Sequence, residues 1–140
     1  MGSGERLLSR DARGRWLIHE VVGLRGPITN LVRDGQGRLW ASGEGWLSVQ
    51  PREGAPFEDR SSLIQGMMGA GRRLRVGLRG QLLVPNYRGL LAVEGERVEL
   101  LRLGLAERSA RMRDVLHDRE GTLWVVSLGV HRSLGRGLWR

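Results

Sequence analysis

The chain has 140 residues, 40% of them hydrophobic, with 22 Gly, no Cys and a formal net charge of +8. A single domain of that length can bury a core, the lack of Cys excludes disulfides, thiolate nucleophiles and Cys-ligated zinc, and no apolar run approaches the ~20 residues of a membrane-spanning helix. All 23 basic residues are Arg, spread along the chain without a recognition helix or an aromatic-and-basic module, so the charge keeps a nucleic-acid-binding module only as an alternative.

The opening M-G-S-G-E-R-L-L-S-R lacks the apolar stretch of a secretory signal, and Arg6 stands where a myristoylation motif needs Ser or Thr. No membrane contact is expected from this segment. From Arg6 to His19, R-L-L-S-R-D-A-R-G-R-W-L-I-H reads as a strand, a turn and a return strand. The following H-E-V-V-G-L-R-G-P puts Pro27 eight positions after His19, too late for a phospho-accepting histidine motif, and its register is strand-loop-strand rather than a helical dimerisation hairpin.

Next come I-T-N-L-V-R (Ile28–Arg33), R-L-W-A-S (Arg38–Ser42) and W-L-S-V (Trp46–Val49). These short runs, rich in Val, Ile, Leu and Trp and bounded by Gly, are strands by composition and length. Between the first two lies D-G-Q-G, where Asp34 can accept backbone N–H bonds and Gly37 can take the positive φ of a tight hairpin. G-M-M-G-A-G-R-R (Gly66–Arg73) fails as a dinucleotide fingerprint because Leu74 holds the third Gly position, and a phosphate loop needs the Lys that this chain lacks.

V-G-L-R-G (Val76–Gly80) repeats the turn with its last Gly but without Asp, and Q-L-L-V-P-N-Y follows it. L-L-A-V-E-G-E-R-V-E-L-L (Leu90–Leu101) reads as a strand, a turn around Glu94 to Glu96 and a return strand. M-R-D-V-L-H then leads through D-R-E-G (Asp118–Gly121) to T-L-W-V-V-S, and the chain ends at H-R-S-L-G-R-G-L-W-R, where an outer strand would begin. His117 and His131 have no partner at metal-ligand spacing, so neither a metal nor a cofactor is expected. Glu58 with Asp59, and Glu94 with Glu96, are read as solvated turn residues rather than the acid and base of a glycosidase.

The three strand-turn-strand units are copies of one another. Trp40, Leu83 and Trp124 occupy equivalent positions 43 and 41 residues apart, and a period of ~40–45 is the length of a four-stranded propeller blade. In each copy two adjacent residues are apolar: Leu39 with Trp40, Leu82 with Leu83, Leu123 with Trp124. Neighbours on a strand face opposite ways, so both faces of each sheet must be covered, as they are when blades stack in a propeller. The fold class expected is all-β: a propeller segment of about three four-stranded antiparallel blades. Its divisions are 1–25 (outer strands of one blade), 26–66 (a blade), 67–107 (a degenerate blade) and 108–140 (a partial blade). Asp34, Gly37, Gly80, Asp118 and Gly121 make its turns, with Trp40 and Trp124 as core anchors.

The units I-T-N-L-V-R-D-G-Q-G-R-L-W-A-S-G-E-G-W-L and M-R-D-V-L-H-D-R-E-G-T-L-W-V-V-S-L-G-V resemble two-component regulator propeller repeats. The resemblance implies a seven-bladed propeller, often two in tandem, serving as the extracytoplasmic ligand sensor of hybrid histidine kinases and related bacterial signalling proteins; it would place such a sensor in the periplasm. This chain departs from that pattern in carrying about three blades and neither a signal segment nor an output domain. Either it is part of a longer sensor, or the N-terminal strand pair completes the last blade of a second copy, so that two chains make a six-bladed ring.

Propeller ligands sit near the central channel, on the face formed by the loops between second and third strands together with the connections between blades. Those loops are S-G-E-G-W (Ser42–Trp46), P-N-Y-R-G (Pro85–Gly89) and S-L-G (Ser127–Gly129). Glu44, Trp46, Asn86, Tyr87 and Arg88 therefore offer amide, aromatic and charged groups to a small polar ligand such as a carbohydrate fragment. The function expected is non-catalytic ligand sensing; a lectin-like or protein-binding scaffold without a signalling role is the alternative.

Overall fold

The computed structural model describes residues 6–101 and 111–128. The chain is all-β, with strands β1 (Leu7–Arg10), β2 (Trp16–His19), β3 (Asn30–Arg33), β4 (Leu39–Gly43), β5 (Trp46–Gln50), β6 (Glu58–Asp59), β7 (Arg75–Val76), β8 (Leu82–Asn86), β9 (Gly89–Glu94), β10 (Arg97–Leu101), β11 (Arg111–His117) and β12 (Leu123–Leu128). They form four antiparallel sheets, β1-β2, β3-β4-β5-β6, β7-β8-β9-β10 and β11-β12. Among the described residues the helical content is one short 3-10 turn, Ser61–Ile64, and no helix is long and apolar enough to cross a membrane. Repeated antiparallel sheets of this kind are compatible with a propeller segment.

The sheets stack face to face, as the doubled apolar positions require. Trp40, Leu47 and Val49 pack against Leu82, Val84, Leu91 and Val93 between the second and third sheets. Leu83, Leu90 and Ala92 turn the other way and meet Met112, Val115 and Leu123 of the fourth. On the opposite face of the second sheet, Ala41, Trp46 and Phe57 meet Leu7, Val21, Leu24 and Ile28. Leu39 and Trp40 thus serve different interfaces, as do Leu82 and Leu83. Each full sheet is apolar on both sides because each is sandwiched.

Trp124 departs from its expected role as a core anchor, being 60% exposed where Trp40 is 1% exposed. The position in the repeat is the same. The difference is the neighbour: the Trp side of the second sheet is covered by the third, whereas among the described residues no further sheet covers the Trp124 side of β11–β12.

The Asp-x-x-Gly turns are built by one hydrogen-bond scheme. Asp34 Oδ1 accepts the backbone N–H groups of Gln36 (2.9 Å) and Arg38 (3.0 Å), and Gly37 N donates to the Asp34 carbonyl, a closure that needs φ of 80° at Gly37. Asp118 accepts Glu120 and Thr122 N–H, and Asp11 accepts Arg13 and Arg15 N–H, in the same way. The second carboxylate oxygen explains why Trp accompanies Asp in the motif: Trp40 Nε1 donates to Asp34 Oδ2, and Trp124 Nε1 to Asp118 Oδ2, each at 2.8 Å.

The middle copy has lost both partners of that bond, with Gly77 at the Asp position and Leu83 at the Trp position. Its turn is rescued from the other side. Gln81 folds back so that its Oε1 accepts Arg79 N–H at 3.0 Å, the bond that a carboxylate makes elsewhere. The amide occupies the Asp space itself, since a Cβ on Gly77 would lie 2.5 Å from Gln81 Oε1.

These bonds predict acid lability. Burial pushes the Asp34 carboxyl up, but the Trp40 indole, the Arg38 backbone and guanidinium and the Gln36 backbone outweigh it and hold the group below the usual carboxylate range. The Trp124 indole and the Thr122 backbone do the same for Asp118, and the Arg15 backbone for Asp11. A depressed folded-state pKa contributes stability that is fully present above the unfolded value of about 3.9 and is lost as pH falls through the folded one. Urea midpoints should therefore hold from neutral pH down to about 5 and drop below about 4; a midpoint flat to pH 2 contradicts this account.

Candidate functional site

Strands β3, β7 and β11 each begin a sheet, and β7 touches both of the others, so the leading edges of three sheets converge. At their N-terminal ends lies a cavity of about 470 Å³ lined by Thr29, Arg72, Arg73, Tyr87, Arg113 and Asp114. Met112 and Val126 add apolar wall.

One floor of the cavity is the connection from the second sheet to the third, the Gly-rich G-M-M-G-A-G-R-R. It is sewn to both sheets: Gly45 N donates to the Ala70 carbonyl (3.0 Å), Ser42 Oγ to the Gly71 carbonyl (2.8 Å), Asn30 Nδ2 to the Arg72 carbonyl, and Tyr87 N to the Met68 carbonyl (2.8 Å). Gly71 has φ of 93°, and a Cβ there would sit 2.0 Å from the Gly43 carbonyl oxygen. Gly71 thus serves close backbone approach, while Gly69 leaves room for the Tyr87 ring. Leu74, the residue that broke the dinucleotide fingerprint, is core.

Two ion pairs flank the cavity. Arg72 Nη2 donates to Glu44 Oε1 at 2.6 Å and Nη1 to Tyr87 Oη at 3.4 Å, and the Glu44 bond pushes the guanidinium further up. Arg75 grips Asp114 with two bonds, Nε to Oδ1 at 3.0 Å and Nη2 to Oδ2 at 2.9 Å. Burial raises the Asp114 carboxyl, but the Arg75 fork and the Val115 backbone hold it below the usual range, so it stays ionised and is no proton donor near neutral pH. Two of the three arginines in R-R-L-R are thus engaged with carboxylates rather than presented as a phosphate-binding surface.

The five expected ligand residues separate. Tyr87 lines the cavity, and Glu44 stands at its rim through Arg72. Trp46 and Asn86 do not offer themselves to a ligand: both are fully buried. Trp46 begins β5 with its ring in the core against Ala41 and Phe57, and Asn86 closes its own turn, accepting Arg88 N–H (2.9 Å) and donating to the Val84 carbonyl (3.2 Å). Arg88 is exposed and outside the lining, and Gly129 lies outside the described residues.

Arg72, Arg73 and Asp114 were missed as a constellation because the arginines were weighed only as a nucleic-acid cluster, and Asp114 lies 42 residues after Arg72. A signal was available: the expected propeller puts the connections between blades beside its channel, and G-M-M-G-A-G-R-R connects the second sheet to the third.

A second cavity of about 500 Å³, with Arg25, Asp59, Ser61, Gln65 and Met67 in its wall, touches the start of that connection at Gly66 and Met68. It is built by one sheet and the segments flanking it. Among the described residues no group of three or more His, Cys, Asp or Glu is placed to hold a metal ion. The chain matches no protein-family model and no curated protein.

Proposed function

We propose that the chain is a β-propeller segment that binds a small polar ligand without transforming it, as the sensing part of a two-component-type signalling protein. The observation that carries the ligand reading is the cavity at the converging strands β3, β7 and β11, whose size falls within the ~300–1,000 Å³ of small-molecule sites. Its guanidinium, phenol and hydroxyl groups suit the hydroxyls of a carbohydrate fragment, with the Tyr87 ring and the exposed Val126 in the wall to meet the apolar face of a sugar ring. The Asp-x-x-Gly, Leu-Trp units and their resemblance to regulator propeller repeats support the sensing role.

Ligand-observed NMR against a panel of mono- and disaccharides tests this reading. A saccharide that binds should lose affinity by about tenfold or more in Tyr87→Ala and Arg73→Ala, equivalent to ~1.4 kcal/mol, and keep it in Arg88→Ala, outside the cavity. Binding that survives both cavity substitutions would put the site elsewhere; no binding across the panel would overturn the carbohydrate assignment.

A further inference from the structure

A β-bulge brings charge to the wall of the cavity at β3, β7 and β11. The β11–β12 ladder pairs Met112 with Ser127 and then Asp114 with Val126, so Arg113 is the extra residue on its strand. Simple alternation would put Met112 and Val115, three apart, on opposite faces, yet both are buried in one core with Leu83, Leu90 and Ala92. The bulge takes up the odd residue, and the two positions between them, Arg113 and Asp114, both line the cavity. Bulges re-aim side chains in this way beside active sites.

The charges so gathered do not cancel. Arg72 is matched by Glu44 and Arg75 by Asp114, and among the described residues Asp114 is the one acidic side chain in the lining. Arg73 and Arg113 remain. Both line the cavity, both are exposed, and among the described residues neither side chain makes an ion pair or a hydrogen bond. Arg73 stands close enough to Asp114 for its charge to favour the ionised carboxyl there. The two arginines thus approach Asp114 from its own strand and from the connection before β7. In the same wall the Tyr87 ring is held close against Gly69, where a Cβ would lie 2.6 Å from it, and its hydroxyl accepts from Arg72 Nη1.

We propose that the cavity takes an acidic sugar, its oxyanion seated on Arg73 and Arg113 and its ring against Tyr87. The inference rests on the carbohydrate reading of this site and adds a required charge to it. The hydroxyls of a neutral saccharide can accept from a guanidinium, but a carboxylate or a phosphate ester also matches its charge, and such bonds are roughly twice as strong. The planar guanidinium fork fits either oxyanion. Asp114 does not compete for the two arginines, because both of its oxygens are taken by Arg75.

Titration of the full chain with glucuronate, glucose 6-phosphate, glucose and glucuronamide, followed by ligand-observed NMR, tests it. Glucuronate is expected to bind roughly 10–100-fold more tightly than glucuronamide, its neutral isostere, with the advantage shrinking as salt rises. Glucose 6-phosphate preferred to glucose by that factor, with glucuronate weak, would assign the seat to a phosphate ester. Arg73→Gln and Arg113→Gln, both at exposed positions, should leave the circular dichroism unchanged and bring the acidic sugar down toward its neutral counterpart. Arg88→Gln, outside the cavity, removes the same unit from the net charge of +8 and should keep the preference. Neutral and acidic sugars bound alike overturn the acidic ligand and leave the carbohydrate reading standing. A preference that survives both cavity substitutions overturns the seat on Arg73 and Arg113. Acetate or inorganic phosphate bound as tightly as the sugar acids overturns the carbohydrate reading and the sugar with it, and no binding by any of these compounds overturns both readings.

Discussion

Asp34→Asn is expected to destabilise the chain by about 3–5 kcal/mol, the cost of removing one member of a buried ion pair. The Asp34 side chain is 1% exposed and that of its partner Arg38 17%. Asparagine can still accept the N–H groups of Gln36 and Arg38 through its single oxygen. Its amide nitrogen, however, would face two donors, Arg38 Nε and Trp40 Nε1, both 2.8 Å from the oxygen it replaces. Burial of unmatched donors and of an uncompensated guanidinium sets the magnitude. Urea denaturation gives the number, and Asp118→Asn is the control. Asp118 makes the same backbone and indole bonds in an exposed setting, so its substitution should cost clearly less. Equal costs at the two positions would mean that burial is not the reason.

Trp40→Ala should cost about 3–5 kcal/mol, from lost contacts and the cavity left between two stacked sheets. Trp40 fills the space between Leu47 and Val49 on its own side and Leu82, Val84 and Leu91 on the other, and the Arg38 guanidinium lies 5.1 Å from its ring centroid. Trp40→Phe keeps a ring but removes the indole donor along with part of the packed volume, so its smaller loss, at least about 1.5–3 kcal/mol for a bond to a charged acceptor, includes the tie to Asp34. In a double-mutant cycle Asp34→Asn and Trp40→Phe should be coupled by about 0.5–3 kcal/mol, because they share that bond. Strict additivity would show that turn and core are independent after all.

The Asp–Trp bond changes what the repeated motif is. D-G-Q-G-R-L-W reads in sequence as a turn followed by two core residues. In the fold, the turn carboxylate and the core indole are one hydrogen-bonded unit, six residues apart, with the backbone N–H groups taken by the other oxygen. The middle copy fits this account, since a leucine at position 83 needs no acceptor and Gly77 supplies none. Gln81 repairs the turn alone.

The amino-acid order by itself determined most of the strands, the turns between them and the face each apolar side chain takes, but not β6, since Glu58 and Asp59, read as turn residues, pair with Val49 and Ser48. These follow from period-2 alternation, from Asp and Gly chemistry within five residues, and from a doubled apolar position that only a sandwiched sheet can satisfy. Leu39 and Trp40, or Leu82 and Leu83, were legible for that reason. Tertiary structure alone decided exposure and convergence. Trp40 and Trp124 hold the same place in the repeat, yet one is buried and the other open, because burial depends on which sheet comes next. Trp46 and Asn86 looked like loop residues and are core, whereas Arg72, Tyr87 and Asp114, scattered over 43 positions, meet at one cavity. Sequence spacing carries local geometry, but the meeting of three first strands at one edge is made by the stacking of whole sheets.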